Sequence, residues 1–563
     1  MMRNISSHKE ADRCEIDPEK DIEFTFLQGI LPSRRAWVKL TKKERKDFYH
    51  DSLKRNEVRI YKTYLKEKRK EESGEEVKDW FIELTKFCQD IRSKLESIND
   101  GSYRIKPPQI NGLKKKVEKI GRDEQIIYRP IAIYDLEDRI ITSLTSKYLI
   151  STFDSFFVDN SFAFRAADKD GKVKNHHDAV SEIFKYKKKN KRVWVSECDI
   201  AKFFDTVSHK LILEKYDKLV KEMLLKGVDT VPLARSVFCS FLESFAFNVD
   251  VLPINESDCW FEDRDIKRGK FKWVKEILIK EYGEKYVNDN RIGVPQGNAI
   301  SCFIANLIMH EVDKKVLEVD ANIFYVRYCD DMVLMHPDSD LCNKGLDIYK
   351  NAIKDNLLIY HEPKKIKNYK VRENAIAFWK EKSKEPFYWG NKYEGEENVP
   401  WVAFVGYQIR YDGLIRIRKD SIRKEIKKQG KEINRIHKSL GRKGRDIKSY
   451  TIDGRWSKRK ILKSAEERLI AMSVGRVQMH NHKSINESGL CWTNGFKLVE
   501  DNFIARSQMR RLDKNRKRRV ARLKKILPEE MKTKKPRKDD DREKKEIVHF
   551  GGAFSYYNYL KYK

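Results

Sequence analysis

The chain has 563 residues, of which 40% are hydrophobic and 37% are charged, with a formal net charge of +32 and a sequence pI of about 9.5. This length has room for several domains, and the composition predicts a folded protein with extended basic faces rather than a disordered chain. The positive excess favours a polyanionic partner, although a membrane surface or solubility alone would also explain it.

Cysteine usage and the N-terminal sequence indicate the compartment. The nine cysteines lack any Cys-x-x-Cys pairing, which argues for reduced thiols and against structural zinc. Residues 1–15 are polar and lack an apolar core of signal-peptide length. We identify no apolar run of about 18 residues that could span a bilayer. The sequence therefore predicts a cytoplasmic protein with no membrane partner.

Composition and periodicity divide the chain into four regions. Residues 1–105 are helix-prone and highly charged, which predicts a helical N-terminal extension. β-type runs alternate with helices in residues 106–418, where a stretch at about 210–290 has the character of an insertion of unassigned purpose. Residues 419–527 predict basic helices with one apolar stripe. A charged linker and an aromatic tail make up residues 528–563, and we expect the tail to dock on the protein rather than to stack bases.

The upstream part of the second region contains an acidic residue at the end of a β-rich run. Residues 192–198 lead into Asp199, and Phe204 follows shortly after it. Two-metal phosphoryl transfer needs carboxylates from separate elements that bridge ions roughly 3.5 to 4 Å apart. Asp199 could contribute one of these carboxylates if a second acidic element lies beside its strand.

A loop bounded by Gly and Pro, residues 293–297, contains Gln296 and precedes a predicted helix. Asn298 is placed to cap this helix. Apolar residues recur along the helix at helical spacing: Ile300, Ile304, Leu307, Ile308 and Val312. The spacing predicts that the helix packs under a sheet.

The tetrapeptide Tyr328-Cys329-Asp330-Asp331 stands between two short β-type runs, residues 322–327 and 332–336. This pattern predicts a hairpin with two carboxylates at its tip. Adjacent carboxylates repel each other unless cations neutralise them, and hard oxygen ligands suit Mg²⁺. A metal-dependent phosphoryl-transfer site is the functional hypothesis, and a solvated acidic turn is the alternative.

Seven sequence blocks occur in the order found in bacterial reverse transcriptases, the superfamily of group II intron, retron and defence-associated enzymes. The blocks are residues 119–133, 160–165, 192–205, 293–301, 328–331, 358–364 and 404–409. The chain resembles this family from about residue 106 to about residue 418, and it looks most like the abortive-infection and unknown-group members. Ala163 and Cys329 depart from the usual Gly and Ala, but both are small residues.

The resemblance implies an α+β right-hand polymerase. Residues 106–418 would form fingers and a palm, with an antiparallel palm sheet packed on helices, and residues 419–527 would form a helical thumb. By the same resemblance, Asp199 and Asp330 are direct metal ligands and Asp331 is a weaker one. The backbone of Ile200 would complete the set for two Mg²⁺ ions, with Mn²⁺ as an alternative.

The resemblance also implies residues that contact substrates. Phe204 would be a steric gate that rejects a 2′-hydroxyl, with an ordinary core phenylalanine as the alternative. The other implied nucleotide-binding residues are Lys119, Arg122, Arg129 and Gln296. The implied primer or template residues are Tyr328, Lys364, Gly406 and Tyr407.

The function that the resemblance implies is RNA-directed DNA synthesis from dNTPs, on a dedicated non-coding RNA in defence against phage. The partners would be an RNA template and the nascent DNA, and a homo-oligomer is compatible with this function. Template-independent or protein-primed synthesis on the same fold is one alternative. A catalytically idle RNA-binding scaffold is the alternative from another class.

Overall fold

The computed structural model describes residues 30–47, 52–121, 123–257, 259–441, 458–474, 492, 494–527 and 555–561. These residues form two compact units. The first contains the chain up to Val38 together with Ile60–Pro400, and the second contains Lys39–Arg59 and the chain from Trp401 onward. The content is α+β, as predicted.

Most of the described residues with regular secondary structure are in helices. Their bounds are α1 (Lys42–Asp47), α2 (Ser52–Glu72), α3 (Asp79–Asn99), α4 (Leu136–Phe153), α5 (His176–Lys189), α6 (Phe203–Thr206), α7 (His209–Leu225), α8 (Pro232–Glu243), α9 (Cys259–Glu262), α10 (Lys275–Tyr282), α11 (Glu284–Asp289), α12 (Ala299–Leu317), α13 (Ser339–Asp355), α14 (Arg372–Lys380), α15 (Lys419–Gly441), α16 (Lys458–Val474), α17 (Phe503–Ile526) and α18 (Tyr556–Lys561).

The strands form three sheets. Their bounds are β1 (Gln109–Ile120), β2 (Asp123–Ile133), β3 (Trp194–Glu197), β4 (Gly269–Phe271), β5 (Phe324–Tyr328), β6 (Asp331–His336), β7 (Lys384–Trp389), β8 (Asn398–Val399), β9 (Trp401–Phe404), β10 (Tyr407–Arg410) and β11 (Ile415–Ile417). The sheets have the orders β1-β2-β4, β5-β6-β3-β7-β8 and β9-β10-β11.

The five-stranded sheet is the centre of the first unit. The predicted hairpin is confirmed, because β5 and β6 pair antiparallel up to Tyr328 opposite Asp331. Strand β3 pairs antiparallel with β6 on one side and with β7 on the other. Helices α12 and α13 pack against this sheet. The sheet therefore places the acidic hairpin next to the strand that leads into Asp199.

Helix α12 begins as predicted, because Asn298 caps it by accepting a hydrogen bond from the backbone N–H of Ile300. The expected apolar stripe is wider than the sequence suggested. Side chains are buried on almost every face of the helix, including the polar residues Asn306, His310 and Asp313. A helix buried all round must satisfy its polar groups internally, so these residues need partners inside the protein.

Asp313 and Arg327 form an ion pair in the interior of the first unit, where their side chains are 1% and 0% exposed. Arg327 Nη2 donates to Asp313 Oδ2 at 2.6 Å, and Arg327 Nε donates to Asp313 Oδ1 at 2.8 Å. Tyr325 donates its hydroxyl to the same carboxylate at 2.8 Å. The pair therefore ties β5 to α12 through several charge-assisted hydrogen bonds.

Part of the predicted insertion at 210–290 belongs to the main core, which corrects the sequence interpretation. Helices α7 and α8 carry apolar side chains at helical spacing, and Tyr216 of α7 stacks on Phe238 of α8 with ring centroids 4.7 Å apart. Both rings also contact Phe303 of α12. The later part of the stretch contains α9, α10 and α11 together with β4, which pairs with β2.

The segment Pro232–Glu256 corrects the expectation that no apolar run is long enough to span a bilayer. By length and composition it passes as a candidate span, with a mean hydropathy of 1.5. In the fold, 56% of this window is buried inside the protein. Phe238, Phe241 and Phe247 are core residues, so packing within the first unit accounts for the apolar composition.

The C-terminal segment of the second unit begins at Trp401, earlier than the predicted boundary after residue 418. The reason is that the β9-β10-β11 sheet bonds to the helical part of this unit: Gln508 of α17 donates to the carbonyl of Ile417 at 2.7 Å. Helices α15, α16 and α17 share an apolar cluster that includes Ile433, Leu469 and Leu523.

The aromatic tail docks on the second unit, as predicted, within the described residues 555–561. Tyr556 is fully buried, and its hydroxyl donates to Glu425 of α15 at 3.2 Å. The backbone N–H groups of Tyr556 and Tyr557 both donate to the Asp513 carboxylate of α17. The predicted linker and residues 550–554 of the predicted tail lie outside the described residues.

We predict that Asp313→Ala destabilises the first unit by about 3–5 kcal/mol, because it leaves a buried guanidinium without its counter-charge. Urea denaturation followed by circular dichroism measures the change. Lys315→Ala on the same helix is the matched control, because Lys315 pairs with Asp355 at a site where both side chains are about half exposed. The control should lose less than about 1 kcal/mol. Equal losses in the two variants would contradict the prediction.

Candidate active site

The acidic turn is a tight hairpin loop with a constrained backbone. Tyr328 pairs with Asp331, so only Cys329 and Asp330 form the loop. Cys329 has a φ of 61°, a left-handed conformation that costs roughly 1–2 kcal/mol for a residue with a side chain. Arg327 Nη1 donates to the Cys329 carbonyl at 3.0 Å. The buried ion pair described above therefore holds the tip of the hairpin as well as its strand.

Asp199 lies beside this hairpin. Because β3 and β6 run antiparallel, the end of β3 that leads into Asp199 neighbours the end of β6 that begins at Asp331. The backbone of Asp199 is held on both sides: its N–H donates to Ser383 Oγ at 2.9 Å, and its carbonyl accepts from the N–H of His361 at 2.8 Å. The sequence prediction that Asp199 converges with the hairpin agrees with this arrangement.

The carboxylates of Asp199 and Asp330 interact electrostatically. Burial raises the pKa of Asp330, and the negative charge of Asp199 raises it further. Asp331 lies at the start of β6 and is exposed. A site in which burial and a second carboxylate disfavour negative charge gains most from a bound cation.

A lysine faces the first carboxylate. Lys382 Nζ donates to Asp199 Oδ2 at 2.6 Å, and it lies 3.0 Å from His361 Nε2. Burial and the Lys382 charge lower the pKa of His361. Sequence reasoning did not select Lys382, because a lysine in a run of charged residues gives no signal of its own.

Within the described residues, no three His, Cys, Asp or Glu side chains come together as a preformed set of metal ligands. The donor chemistry nevertheless fits a divalent ion, since Asp199 and Asp330 are interacting carboxylates in a partly buried site. Asp331 and the backbone carbonyl of Ile200 are the predicted further oxygen donors. Binding a cation at Asp199 would require the Lys382 ammonium to leave Oδ2.

Asp205 lies in the turn after Asp199 and binds Gln296. Its role was not predicted from the sequence. Gln296 Nε2 donates to Asp205 Oδ1 at 2.7 Å, and Lys202 Nζ donates to Asp205 Oδ2 at 2.8 Å. Asp205 is 1% exposed. An acidic residue directly after two phenylalanines was the available signal, because a carboxylate in an apolar run needs an internal partner.

Phe204 is the more accessible of the two phenylalanines in this turn. Phe203 is 2% exposed and belongs to the main core, whereas Phe204 is half-buried. The carbonyl of Phe204 accepts from the N–H of Val294 at 2.7 Å, in the loop that carries Gln296. The structure therefore brings Phe204, Asp205 and Gln296 together, and the alternative of an ordinary core residue fits Phe203 better.

The predicted cationic residues are distributed unevenly. Arg129 is exposed on β2. Partial burial lowers the pKa of Lys115, and the charges of nearby Lys202 and Arg129 lower it further. Lys115 and Lys202 are therefore additional members of a basic cluster with Arg129. Lys119 pairs in register with Glu124 near the end of the β1–β2 hairpin. Arg122 lies outside the described residues.

The predicted primer or template residues fall in different places. Tyr328 is half-buried at the end of β5, and Lys364 is exposed in an irregular segment bridged to Lys384. Gly406 and Tyr407 belong to the second unit. Tyr407 is fully buried against Phe496, so its ring is a core side chain and is not presented to a nucleic acid. This corrects the role expected for the Tyr407 side chain.

Comparison with known proteins identifies the domain. The sequence model of the family described as reverse transcriptase (RNA-dependent DNA polymerase) matches residues 249–408, a range that includes Gln296 and the Tyr328–Asp331 turn. The chain contains a reverse transcriptase domain. Asp199 precedes the matched range, so its place in the reverse transcriptase site is supported by the β3–β6 pairing instead.

The reverse transcriptase domain is also similar to curated proteins. Group II intron-encoded protein LtrA of Lactococcus lactis subsp. cremoris is 22% identical over 229 residues, which cover 41% of this chain and 28% of LtrA. The LtrA protein of strain MG1363 gives the same values. The similarity therefore spans less than a third of these relatives' length. Reverse transcriptase domains use divalent metal ions, in agreement with the oxygen donors described above.

A buried histidine supports the loop that precedes Gln296. His209 Nε2 lies 2.8 Å from the carbonyl of Gly293, and burial lowers the pKa of His209 to about 4. Gly293 has a φ of 92°, and a Cβ there would lie 2.5 Å from Phe247 Cβ and 2.9 Å from the Asp205 carbonyl oxygen. The close approach of these segments therefore requires glycine at position 293, and burial favours the neutral form of His209.

We predict that acidification destabilises the first unit. His209 is neutral in the folded state down to about pH 4 but is protonated in the unfolded chain below about pH 6.5. Its stabilising contribution is therefore complete above pH 6.5 and declines as the pH falls toward 4, by roughly 3 kcal/mol. Urea denaturation at pH 7.5 and pH 5 measures the decline.

His209→Gln tests the assignment, because a glutamine amide can donate to the same carbonyl without titrating. The variant should flatten the pH dependence. Burial also lowers the pKa of His310 to about 4. His310 should therefore account for a remaining loss of stability as the pH falls. An unchanged pH dependence in His209→Gln would exclude His209 as a source.

Proposed function

We propose that the protein is an RNA-directed DNA polymerase that adds dNTPs to a 3′-hydroxyl by two-metal phosphoryl transfer. The observation that carries the proposal is the pairing of β3 with β6, which sets Asp199 beside the Asp330-Asp331 hairpin so that the charge of Asp199 affects Asp330. In this proposal the first unit contains the fingers and palm, and the second unit contains the thumb.

The carboxylates of Asp199, Asp330 and Asp331 and the carbonyl of Ile200 would hold two divalent ions, Mg²⁺ in this proposal. Such ions activate the attacking hydroxyl and neutralise charge on the leaving pyrophosphate. The constrained Cys329 backbone and the Arg327 contact keep the Asp330 carboxylate in one position. No protein nucleophile is required, because the 3′-hydroxyl attacks the α-phosphate directly and pyrophosphate leaves; the chain's own residues position the reactants and bind the triphosphate.

The basic cluster of Lys115, Arg129 and Lys202 would bind the triphosphate. Partial burial lowers the pKa of Lys115, and the charges of nearby Lys202 and Arg129 lower it further. Clustered like charges favour an anion between them. The sugar would lie against Phe204, whose ring would clash with a 2′-hydroxyl.

The proposal also covers the template and the biological role of the protein. The net charge of +32 supports a polyanionic partner, and α17 exposes many basic residues along its length. An RNA template and the nascent DNA would be such partners, and a cytoplasmic location is a further part of the proposal. The resemblance to retron and defence-associated enzymes suggests a dedicated non-coding RNA and a role in phage defence. Sequencing the nucleic acid that co-purifies with the protein would test these points.

We predict that replacing both Asp330 and Asp331 with Ala abolishes incorporation of labelled dNTPs in a primer-extension assay with Mg²⁺. Loss of the two carboxylates removes ligands of the divalent ions that would neutralise charge on the reacting phosphates, and a loss of activity of at least 10³-fold is expected. Asp229→Ala is the matched control, because it removes an exposed loop carboxylate. A parent protein that retains RNA but incorporates no dNTP would instead support the scaffold alternative.

The same primer-extension assay tests whether dNTP incorporation requires an RNA template. Incorporation that depends on added or co-purified RNA and follows its sequence supports templated synthesis. Incorporation that continues after RNase treatment would contradict it and favour template-independent synthesis. Labelled product attached to the polypeptide would indicate protein priming.

We predict that Phe204→Ala increases ribonucleotide incorporation relative to deoxyribonucleotide incorporation by roughly tenfold or more, because the ring no longer excludes the 2′-hydroxyl. Phe204→Tyr is the matched control, since it keeps the ring and should keep the preference. The measurement is kcat/KM for dATP and ATP. Retained dATP activity with an unchanged ratio in Phe204→Ala would exclude Phe204 as the gate.

A further inference from the structure

A short segment of the stretch between Asp199 and Gln296 contacts the nucleotide-binding residues. We name residues 259–274 the arm. It contains α9, β4 and Trp273, and no function was assigned to it from the sequence. Phe261 and Phe271 of the arm are buried in a cluster with Tyr128 of β2 and with Phe247.

The arm is fixed to the β1–β2 hairpin by main-chain pairing. β4 pairs parallel to β2, with Gly269 opposite Ile126 and Phe271 opposite Tyr128. Tyr128 donates its hydroxyl to the carbonyl of Lys267 at 2.7 Å. A Cβ on Gly269 would lie 2.4 Å from the Tyr128 ring and 2.6 Å from the carbonyl oxygen of Ile126. The close approach of the two strands therefore depends on glycine at this position.

The other end of the arm contacts the turn of residues 202–205. Trp273 donates its indole N–H to the carbonyl of Asp205 at 2.7 Å. Lys202 Nζ donates to the carbonyl of Lys272 at 2.9 Å. The Trp273 ring stacks on Phe247, with centroids 5.6 Å apart and an interplanar angle of 27°. Two hydrogen bonds thus hold this end of the arm against a single turn, and the ring stack holds it against Phe247.

This turn contains or contacts the residues that are proposed to bind the nucleotide. Phe204 lies between the two residues that the arm contacts, and the Asp205 side chain accepts from both Gln296 and Lys202. Lys202 has a φ of 58°, a left-handed conformation that residues with side chains seldom adopt. A backbone in this conformation persists only where surrounding contacts hold it. The arm supplies two contacts to this turn, one at the Lys202 ammonium and one at the Asp205 carbonyl.

We propose that the arm is a positioning element for the bound nucleotide, with Trp273 and Asp205 as positioning residues for Phe204 and Gln296. The proposal rests on the proposed polymerase function, which it deepens by assigning sugar selection and nucleotide affinity to the arm. Trp273 fixes the backbone next to the gate, and Asp205 fixes the amide of Gln296. Neither residue touches the reacting atoms.

A purely structural arm would need only the β4–β2 pairing and the Phe261–Phe271 cluster. The polar contacts of Trp273 and Lys272 lie at the opposite end of the arm, and both reach the same turn. The direction of these contacts, from the arm to residues 202 and 205, is what distinguishes positioning from simple packing.

The test compares Trp273→Phe with Trp260→Phe in the full-length protein. Trp273→Phe keeps a ring against Phe247 but removes the N–H that reaches Asp205. Trp260→Phe makes the same substitution in the same arm, where the Trp260 ring packs on Phe261 and Phe271 and under Arg264. Both variants remove an indole, so the difference between them reports the contact with the turn.

Two readouts are measured, the binding of dATP and of ATP by equilibrium dialysis with MgCl₂, and kcat and KM in primer extension. Trp273→Phe should raise the dissociation constant and KM for dATP roughly three- to tenfold, with little change in kcat, and should narrow the preference for dATP over ATP. Trp260→Phe should leave these values unchanged. Asp205→Ala should weaken dATP binding, and Asp205→Asn should recover part of it by accepting from Gln296.

The outcomes separate this inference from the proposed function. If the parent incorporates dNTPs and both tryptophan variants have the parent's dATP affinity and sugar preference, the arm does not position the nucleotide while the polymerase function stands. Equal losses in the two tryptophan variants would show a structural role and also overturn the inference. If the parent binds dATP without incorporating it, the dialysis comparison still decides the role of the arm. A parent that neither binds nor incorporates dNTPs would overturn both.

Discussion

The buried ion pair of Arg327 and Asp313 is the interaction on which the candidate active site depends. A guanidinium carries five donors and is costly to bury unless they are paired. Here Arg327 donates to the Asp313 carboxylate, to Asn306 and to the carbonyl of Cys329. One side chain thus links the hairpin strand, helix α12 and the backbone of the acidic turn, so these three parts cannot shift independently.

The same helix connects a further sequence block to the hairpin. Asn306 accepts from Ser161 Oγ at 3.1 Å and donates to the carbonyl of Ala163 at 2.9 Å. The main chain adds two more links, since Arg327 donates its N–H to Asn160 and accepts from the N–H of Phe162. Blocks that are far apart in sequence are therefore joined by a continuous polar network in the interior, where a low dielectric strengthens each bond.

Four aspartates near the site have different environments. Asp313 and Asp205 are buried and each is paired with a cation, Arg327 and Lys202 respectively, so their charges are compensated within the protein. Asp330 is instead disfavoured as an anion by burial and by Asp199. Asp313 and Asp205 stabilise the arrangement of strands and turns. Asp330 and Asp199 form the part of the site that gains from an external cation. Lys382 donates to Asp199 and compensates part of its charge.

Local sequence patterns determined the elements that carry the site. The alternation on either side of Tyr328–Asp331 fixed a hairpin, Asn298 fixed the start of α12, and the run before Asp199 fixed a strand, because turn chemistry, capping and period-two patterning act over a few residues. The order of the blocks indicated the reverse transcriptase family. The aromatic tail was expected to dock because its apolar area would otherwise remain exposed.

Only the tertiary structure decided which side chains meet. Lys115, Lys202, Lys382 and Trp273 gave no clear sequence signal, since their roles arise from contacts with residues tens of positions away. For Asp205, the two preceding phenylalanines indicated a carboxylate that needs an internal partner, but not that Gln296 is that partner. Helices α7 and α8 were taken for an insertion because their packing against Phe303 is a long-range contact, and Tyr407 was expected to face a nucleic acid because burial depends on what covers a side chain. Local propensities fix strands, turns and helix ends, whereas partners across the fold are set by how those elements pack, which short-range patterns do not encode.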